Sequence, residues 1–102
     1  MYRQSDDGSF NSWDVQSVIT VGSSAVATNV STAKILGIHT DGEIYFNFSS
    51  SSSASVSTAN DLKLAAGLTF INVPKFSGQG VSQYLHHQRV GSSNVSMRLV
   101  HV

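Results

Sequence analysis

Short stretches in which apolar and polar residues alternate recur along the whole chain, separated by turns rich in Gly and Ser. Alternation with a period of two is typical of strands that bury one face. The stretches that we interpret as strands are residues 14–21, 25–30, 33–40, 43–48, 55–57, 62–64, 68–73, 81–90 and 94–102. Many short strands at this spacing, without a convincing helix, predict an all-β fold: a single-domain antiparallel β-sandwich of the jelly-roll or Greek-key type.

The dipeptide Asp41-Gly42 separates the two most strongly patterned stretches. It predicts a tight β-hairpin, because a type I′ turn needs positive φ at both central residues, which Asp tolerates and Gly adopts freely. The face expected in the core then carries Ile35, Gly37, His39, Ile44, Phe46 and Phe48, with Gly37 opposite Phe46. The other face is too apolar for a free surface, so we expect a second sheet or a neighbouring subunit to cover it. It consists of Leu36, Ile38, Tyr45 and Asn47.

Residues 1–12 differ from the rest, and we interpret them as an N-terminal arm that precedes a β-sandwich domain of residues 13–102. Arms of this kind are disordered or dock on a neighbour. The arm is polar and acidic and lacks the apolar core of a signal peptide, so we expect synthesis in a cytoplasm. No apolar run approaches the roughly 20 residues of a membrane-spanning helix.

The charge balance limits the choice of partners. Six basic and six acidic residues give a net charge of zero with His neutral. Nucleic acids and anionic membranes are usually bound by proteins with a clear basic excess, so we expect neither as a partner. The chain has no cysteine, which excludes disulfides, thiolate metal sites and cysteine nucleophiles.

Histidines and serines are the candidates for chemistry. His86 and His87 are adjacent, so on a strand they point to opposite faces and cannot both bind one metal ion. Copies of either histidine from several subunits could still converge on a symmetry axis around a metal ion or an anion. The carboxylates are scattered, and no Gly-x-Ser-x-Gly motif marks a serine nucleophile. We therefore expect no catalytic residue, no cofactor site, no metal site and no enzymatic activity.

A run of five serines occupies residues 49–53 and is followed by further Ser and Thr residues. It predicts a flexible, solvated connector, because serines bury little apolar area to offset the entropy of ordering. The alternative is an exposed loop that contacts a ligand.

The aromatic residues divide between the core and possible contacts. Phe46, Phe48 and Phe70 fit the core. The candidate subunit contacts are Phe10, Trp13, Tyr45 and Tyr84. Aromatic side chains of this kind anchor protein interfaces. An alternative is a carbohydrate-binding or receptor-binding module in which Tyr45, Trp13 or Tyr84 stacks on sugar rings.

Four segments carry a resemblance to a known class of proteins: residues 38–48 (IHTDGEIYFNF), 60–67 (NDLKLAAG), 70–74 (FINVP) and 93–100 (SNVSMRLV). Over about residues 33–102 the chain resembles small virion structural proteins of tailed bacteriophages. The resemblance implies a non-enzymatic all-β subunit of the virion that forms a homo-oligomer, with a trimer favoured. The implied partners are the major capsid protein or other virion subunits. A head decoration (cement) protein is the leading expectation, and a tail, fibre or head-to-tail component is the alternative.

Overall fold

The computed structural model describes residues 14–74 and 82–102, and these residues form nine strands and no helix. The strands are β1 (Asp14–Val15), β2 (Ile19–Val21), β3 (Val26–Asn29), β4 (Ile35–Thr40), β5 (Ile44–Ser49), β6 (Leu62–Leu64), β7 (Gly67–Asn72), β8 (Tyr84–Arg89) and β9 (Val95–His101). Within the described residues, accordingly, no helix is long and apolar enough to cross a membrane.

The strands form two antiparallel sheets. Sheet A has the order β1-β9-β4-β7, and β2 pairs with β9 as well. Sheet B has the order β3-β8-β5-β6. From β2 onward, each connection except the one between β5 and β6 crosses from one sheet to the other, which is the strand order of a jelly roll. The predicted all-β antiparallel sandwich is therefore confirmed.

The predicted hairpin at Asp41-Gly42 is wrong, because β4 pairs with β7 and β9 while β5 pairs with β6 and β8. Among the described glycines, only Gly67 has a positive φ. Gly42 is instead required by close packing, since a Cβ there would lie 2.8 Å from Cγ2 of Val95. The backbone N–H of Ser96 donates to Oδ1 of Asp41 over 2.9 Å. The dipeptide thus carries the chain across the sandwich while fastened to β9.

The buried face of β4 is the opposite of the one predicted. Leu36 and Ile38 are fully buried, whereas His39 is exposed and Ile35 is 38% exposed. Alternation indicates that one face of a strand is buried, but the partner strands decide which face it is. Sheet B covers Leu36 and Ile38, which confirms the expectation of a second sheet over that part of the apolar row.

Other strand predictions have mixed outcomes. β6, β7 and β9 are confirmed, with boundaries within one or two residues of those predicted. The first predicted strand is divided into β1 and β2, and both lie against β9 rather than against β3. Residues 55–57, predicted as an edge strand, have no strand conformation.

The core lies between the two sheets. Burial of each large aliphatic side chain there contributes roughly 1.5–3 kcal/mol. Its fully or nearly fully buried members are Val21, Val30, Ala33, Leu36, Ile38, Ile44, Val73, Leu85, Val95, Met97 and Leu99. Phe46 and Phe48 pack against this cluster, as predicted, with their rings edge to face and 6.2 Å between centroids.

Candidate functional site

A row of residues crosses the outer face of sheet A from one edge to the other. Val15 lies opposite Val100, Val100 lies opposite Gly37, and Gly37 lies opposite Phe70. Residues directly opposite each other project on the same face of a sheet. Because Gly37 has no side chain, the row has a gap on β4.

The ring of Phe70 lies over this gap. A Cβ at Gly37 would be 2.8 Å from Cε1 of Phe70 and 3.2 Å from Cβ of Val100, so the ring extends across β4 towards β9. Phe70 nevertheless remains 43% exposed. The prediction that Phe70 belongs to the core is therefore wrong. On β7 the more buried positions are Thr69 and Ile71, and Leu68 shares the outer face with Phe70.

Further apolar side chains extend the row. We call this group the apolar face: it consists of the exposed residues Val15, Ile35, Leu68 and Phe70 together with Val100, which is only 7% exposed. Leu68 is 49% exposed and Val15 is 39% exposed. Single exposed apolar residues are common on soluble proteins, whereas a contiguous group on one face of a sheet is typical of an interaction surface.

A cleft of about 300 Å³ borders the apolar face. In the sheet register, His39 lies opposite both Leu68 and Arg98, so a polar row adjoins the apolar one. The cleft is lined by Val18, His39, Asp41, Ser96, Met97 and Arg98. An apolar centre with polar groups at its border is the usual composition of a protein interface.

The outer face of sheet B is covered by the chain itself. Residues 50–61, which we call the serine loop, connect β5 to β6 and lie over His86 on β8. The backbone N–H of Ser55 donates to Nδ1 of His86 over 3.0 Å, and Nε2 of His86 lies 3.0 Å from the carbonyl oxygen of Ser51. His86 is only 1% exposed as a result. The serine run is thus held on the sheet, contrary to the predicted flexible connector.

Asn47 and Asp61 fasten the far end of the serine loop. The Asn47 amide donates to Oδ2 of Asp61 over 2.6 Å and to the carbonyl oxygen of Ser55 over 3.0 Å. The backbone N–H of Ser57 donates to the same carboxylate oxygen of Asp61 over 2.9 Å. Asn47, which was predicted to need a cover, is therefore covered by this loop.

Serines also order the loop locally. The N–H of Ser51 donates to Oγ of Ser49 over 3.0 Å, and the N–H of Ser53 donates to Oγ of Ser51 over 3.1 Å. Such side-chain to backbone bonds replace the ladder bonds of a strand. Sequence reasoning missed this property, although the spacing of serines two residues apart carries it.

An open cleft of about 420 Å³ lies between the serine loop and sheet B. Its lining residues are Asn47, Ser49, Ser51, Ser53, Ser55, Ser57, Asp61 and His86. Oγ of Ser49 lies 2.9 Å from Nε2 of His86, as in a Ser-His pair. A catalytic pair needs that nitrogen free to accept the serine proton. Here the Ser55 N–H occupies Nδ1, so Nε2 carries the proton and His86 cannot act as a base towards Ser49.

His87 points the other way, into the core, as the adjacency of the two histidines predicts. It is fully buried, and its Nε2 lies 2.9 Å from Oγ1 of Thr28. Burial lowers the pKa of His87 to about 4, with repulsion from a charged His86 as the smaller cause. Nδ1 of His87 has no hydrogen-bond partner in the described part of the chain.

The alternative in which histidines meet on a symmetry axis does not fit this geometry, because the serine loop covers His86 and the core encloses His87. In addition, no group of three or more metal-ligating side chains comes together within residues 14–74 and 82–102.

Of the four predicted contact residues, Phe10 and Trp13 lie outside the described residues. Tyr45 and Tyr84 are half-buried on the outer face of sheet B. They are not brought together: Tyr84 lies opposite Ser49, four residues along β5 from Tyr45, which is about 13 Å. The ammonium group of Lys63 also lies over the Tyr45 ring, 5.7 Å from its centroid.

No protein-family model, no curated protein and no solved structure matches this chain.

Proposed function

We propose that this chain is a non-enzymatic bacteriophage virion protein, a capsid decoration subunit that stabilises the head shell by binding neighbouring protein subunits through the apolar face of sheet A. The observation that carries this proposal is the row from Val15 to Phe70, with Phe70 and Leu68 both more than two fifths exposed. Burial of such side chains contributes roughly 25 cal/mol per Å² of apolar area removed from water.

The remaining support concerns the kind of partner. An apolar sheet face on a chain without net charge fits another folded protein better than nucleic acid or an anionic lipid surface. Jelly rolls are common in viral capsids, although they also occur in lectins and cupins, so the fold alone does not decide the function. The resemblance to phage virion proteins favours the capsid, with a homotrimer of this chain as the bound unit.

The test uses co-sedimentation with phage heads. The chain is co-expressed with the structural proteins encoded by neighbouring genes, and the heads are purified and analysed for bound protein. We expect the wild-type chain to be present in many copies and to raise the temperature at which the heads release DNA. Leu68→Ser combined with Phe70→Ser should weaken binding at least tenfold, because both side chains leave the apolar face.

Leu62→Ser is the matched control. Leu62 lies on β6 of sheet B and is 70% exposed, so its replacement removes an exposed apolar side chain outside the apolar face. Its binding should equal that of the wild type. Equal binding by the Leu68/Phe70 variant would overturn the assigned surface. Co-sedimentation with tails only would replace decoration by a tail role, and glycan binding lost in Tyr45→Ala without head binding would replace it by a carbohydrate-binding module.

A further inference from the structure

The hydrogen bonds around His86 define its protonation state. A backbone N–H can only donate, so the Ser55 N–H requires Nδ1 of His86 to be an acceptor without a proton. A carbonyl oxygen can only accept, so the contact with Ser51 requires the proton on Nε2. The closed serine loop therefore matches the neutral ring with the proton on Nε2.

A second proton on this ring must go to Nδ1. Ser55 N and Nδ1 are 3.0 Å apart, and both would then be donors facing each other with no acceptor between them. The bond from Nε2 to the Ser51 carbonyl would persist and become charge-assisted. The Ser57 bond to Asp61 does not involve His86 and would also persist.

We propose that His86 is a proton-sensitive latch: uptake of a proton at Nδ1 releases the segment around Ser55 and widens the cleft between the serine loop and sheet B, while Ser51 and Ser57 remain attached. The outer face of sheet B would thereby respond to acidification through a local opening of the loop. This device does not depend on the apolar face or on the proposed decoration role, since it is built on the other sheet.

No other titratable side chain takes part in the hydrogen bond between Ser55 and His86. The neighbours on the adjacent strands are Ala27 on β3 and Asn47 on β5, and neither side chain titrates. The titratable and charged groups on the same side of sheet B are Asp61 on the loop, Tyr45 and Lys63 on β5 and β6, and Tyr84 on β8, while His87 follows on the inner side. Asp61 already accepts two hydrogen bonds from the Asn47 amide and the Ser57 N–H.

Nuclear magnetic resonance of the ¹⁵N-labelled full chain tests the latch. Ring ¹⁵N shifts report the tautomer and the charge of His86, and amide exchange reports the bonds of Ser55 and Ser57 as protection factors. At neutral pH we expect the Nε2–H tautomer. As His86 takes up a proton, the protection of Ser55 should fall about tenfold, the loss expected for one hydrogen bond, while that of Ser57 changes less than twofold.

His86→Gln and His101→Gln complete the test. Glutamine at position 86 can accept from Ser55 through its carbonyl oxygen but cannot gain a proton, so the pH dependence of Ser55 protection should disappear. His101, which bonds to Thr32, lies on sheet A, and its variant should behave as the wild type. The latch is overturned if the wild-type ring has its neutral proton on Nδ1, if Ser55 stays protected when His86 is charged, or if His86→Gln keeps the pH dependence.

Discussion

The outer faces of the two sheets differ in polarity and in exposure to solvent. On sheet A, Ile35, Leu68 and Phe70 are between 38% and 49% exposed. On sheet B, the serine loop lies over Asn47 and His86 and leaves His86 almost without contact with solvent. One outer face is therefore apolar and partly exposed, and the other is polar and covered by its own chain.

The difference corresponds to two ways of covering the outer face of a sheet. A polar face can be covered by a loop whose backbone groups are bonded to Asn47, Asp61 and His86, because each polar group then has a partner. The apolar face consists of aliphatic and aromatic side chains, and their removal from water by another apolar surface is favourable. Under the two proposals above, sheet A is the side that another protein covers, and sheet B is the side whose covering loop responds to a proton.

Acidification should lower the free energy of unfolding more than any substitution considered below. The group responsible is His87, which is buried between the two sheets. The pKa of His87, ordinarily 6.5, is lowered to about 4 in the fold, so the unfolded chain takes up this proton first as the pH falls. As far as it depends on His87, the free energy of unfolding has its full value above pH 6.5 and should decrease by about 3 kcal/mol as the pH falls to about 4. Urea unfolding at pH 7.5 and pH 4 measures this loss.

The controls for His87 are two variants. His87→Leu removes the titrating ring and should reduce the acid-induced loss, whereas His39→Gln, at an exposed position, should leave it unchanged. An undiminished loss in His87→Leu would assign the acid sensitivity to other groups. The same unfolding measurements show down to which pH the chain stays folded, and therefore in which pH range the proposed opening of the serine loop can be measured.

Asn47→Asp should disrupt the hydrogen bonds that hold the serine loop on sheet B. The new carboxylate would replace a donor that lies 2.6 Å from Oδ2 of Asp61, so two hydrogen bonds are lost and like charges meet. We expect a loss of about 2 kcal/mol at pH 7 by urea unfolding, together with lower amide protection of Ser57. Asn47→Ala, which lacks the repulsion, should lose less. Equal stability of the two variants would contradict a charge effect. The proposed binding through sheet A should be the same in both variants.

Alternation of residues was sufficient to predict the fold class and several strands, because it depends only on neighbours along the chain. It could not predict that Asp41-Gly42 crosses the sandwich, since the need for Gly42 arises from Val95, a residue on a distant strand. The same limit applies to Phe70: an apolar residue on an alternating strand is normally buried, and only the partner strands show that it lies outside.

The site was harder to predict than the fold. The adjacency of His86 and His87 was enough to predict opposite faces, but Ser55, which bonds to His86, is 31 residues away in sequence. A serine run reads as a solvated connector because its composition lacks apolar area. Its order comes from polar partners on the sheet, which no local pattern specifies.

Gly37→Ala should disturb the apolar face of sheet A. The added methyl group would lie 2.8 Å from Cε1 of Phe70 and displace the ring outward. Because the ring is partly exposed and can move, we expect a loss of only about 1 kcal/mol in urea unfolding, at the low end for overpacking. In a Phe70→Ala background the same change should cost less, because only the 3.2 Å contact with Cβ of Val100 then remains, and an undiminished cost there would contradict the contact with the Phe70 ring. Asn47 and the serine loop should be unaffected.

Lys63→Met should give the smallest effect, at the edge of the covered face of sheet B. The Lys63 ammonium lies 5.7 Å from the centroid of the Tyr45 ring at an exposed position, so its loss should cost about 0.5 kcal/mol. Methionine keeps an unbranched apolar stem equivalent to Cβ–Cε of lysine and lacks only the ammonium group, so the variant separates the effect of the charge from that of the packed stem. Nitration of Tyr45, followed by mass spectrometry, should be no more than about twofold faster if the methionine still covers the ring, because the lost charge alone adds little to the cover. A large increase in nitration would mean that the charge itself holds the Lys63 side chain over the ring, and that an uncharged stem at this position leaves Tyr45 accessible.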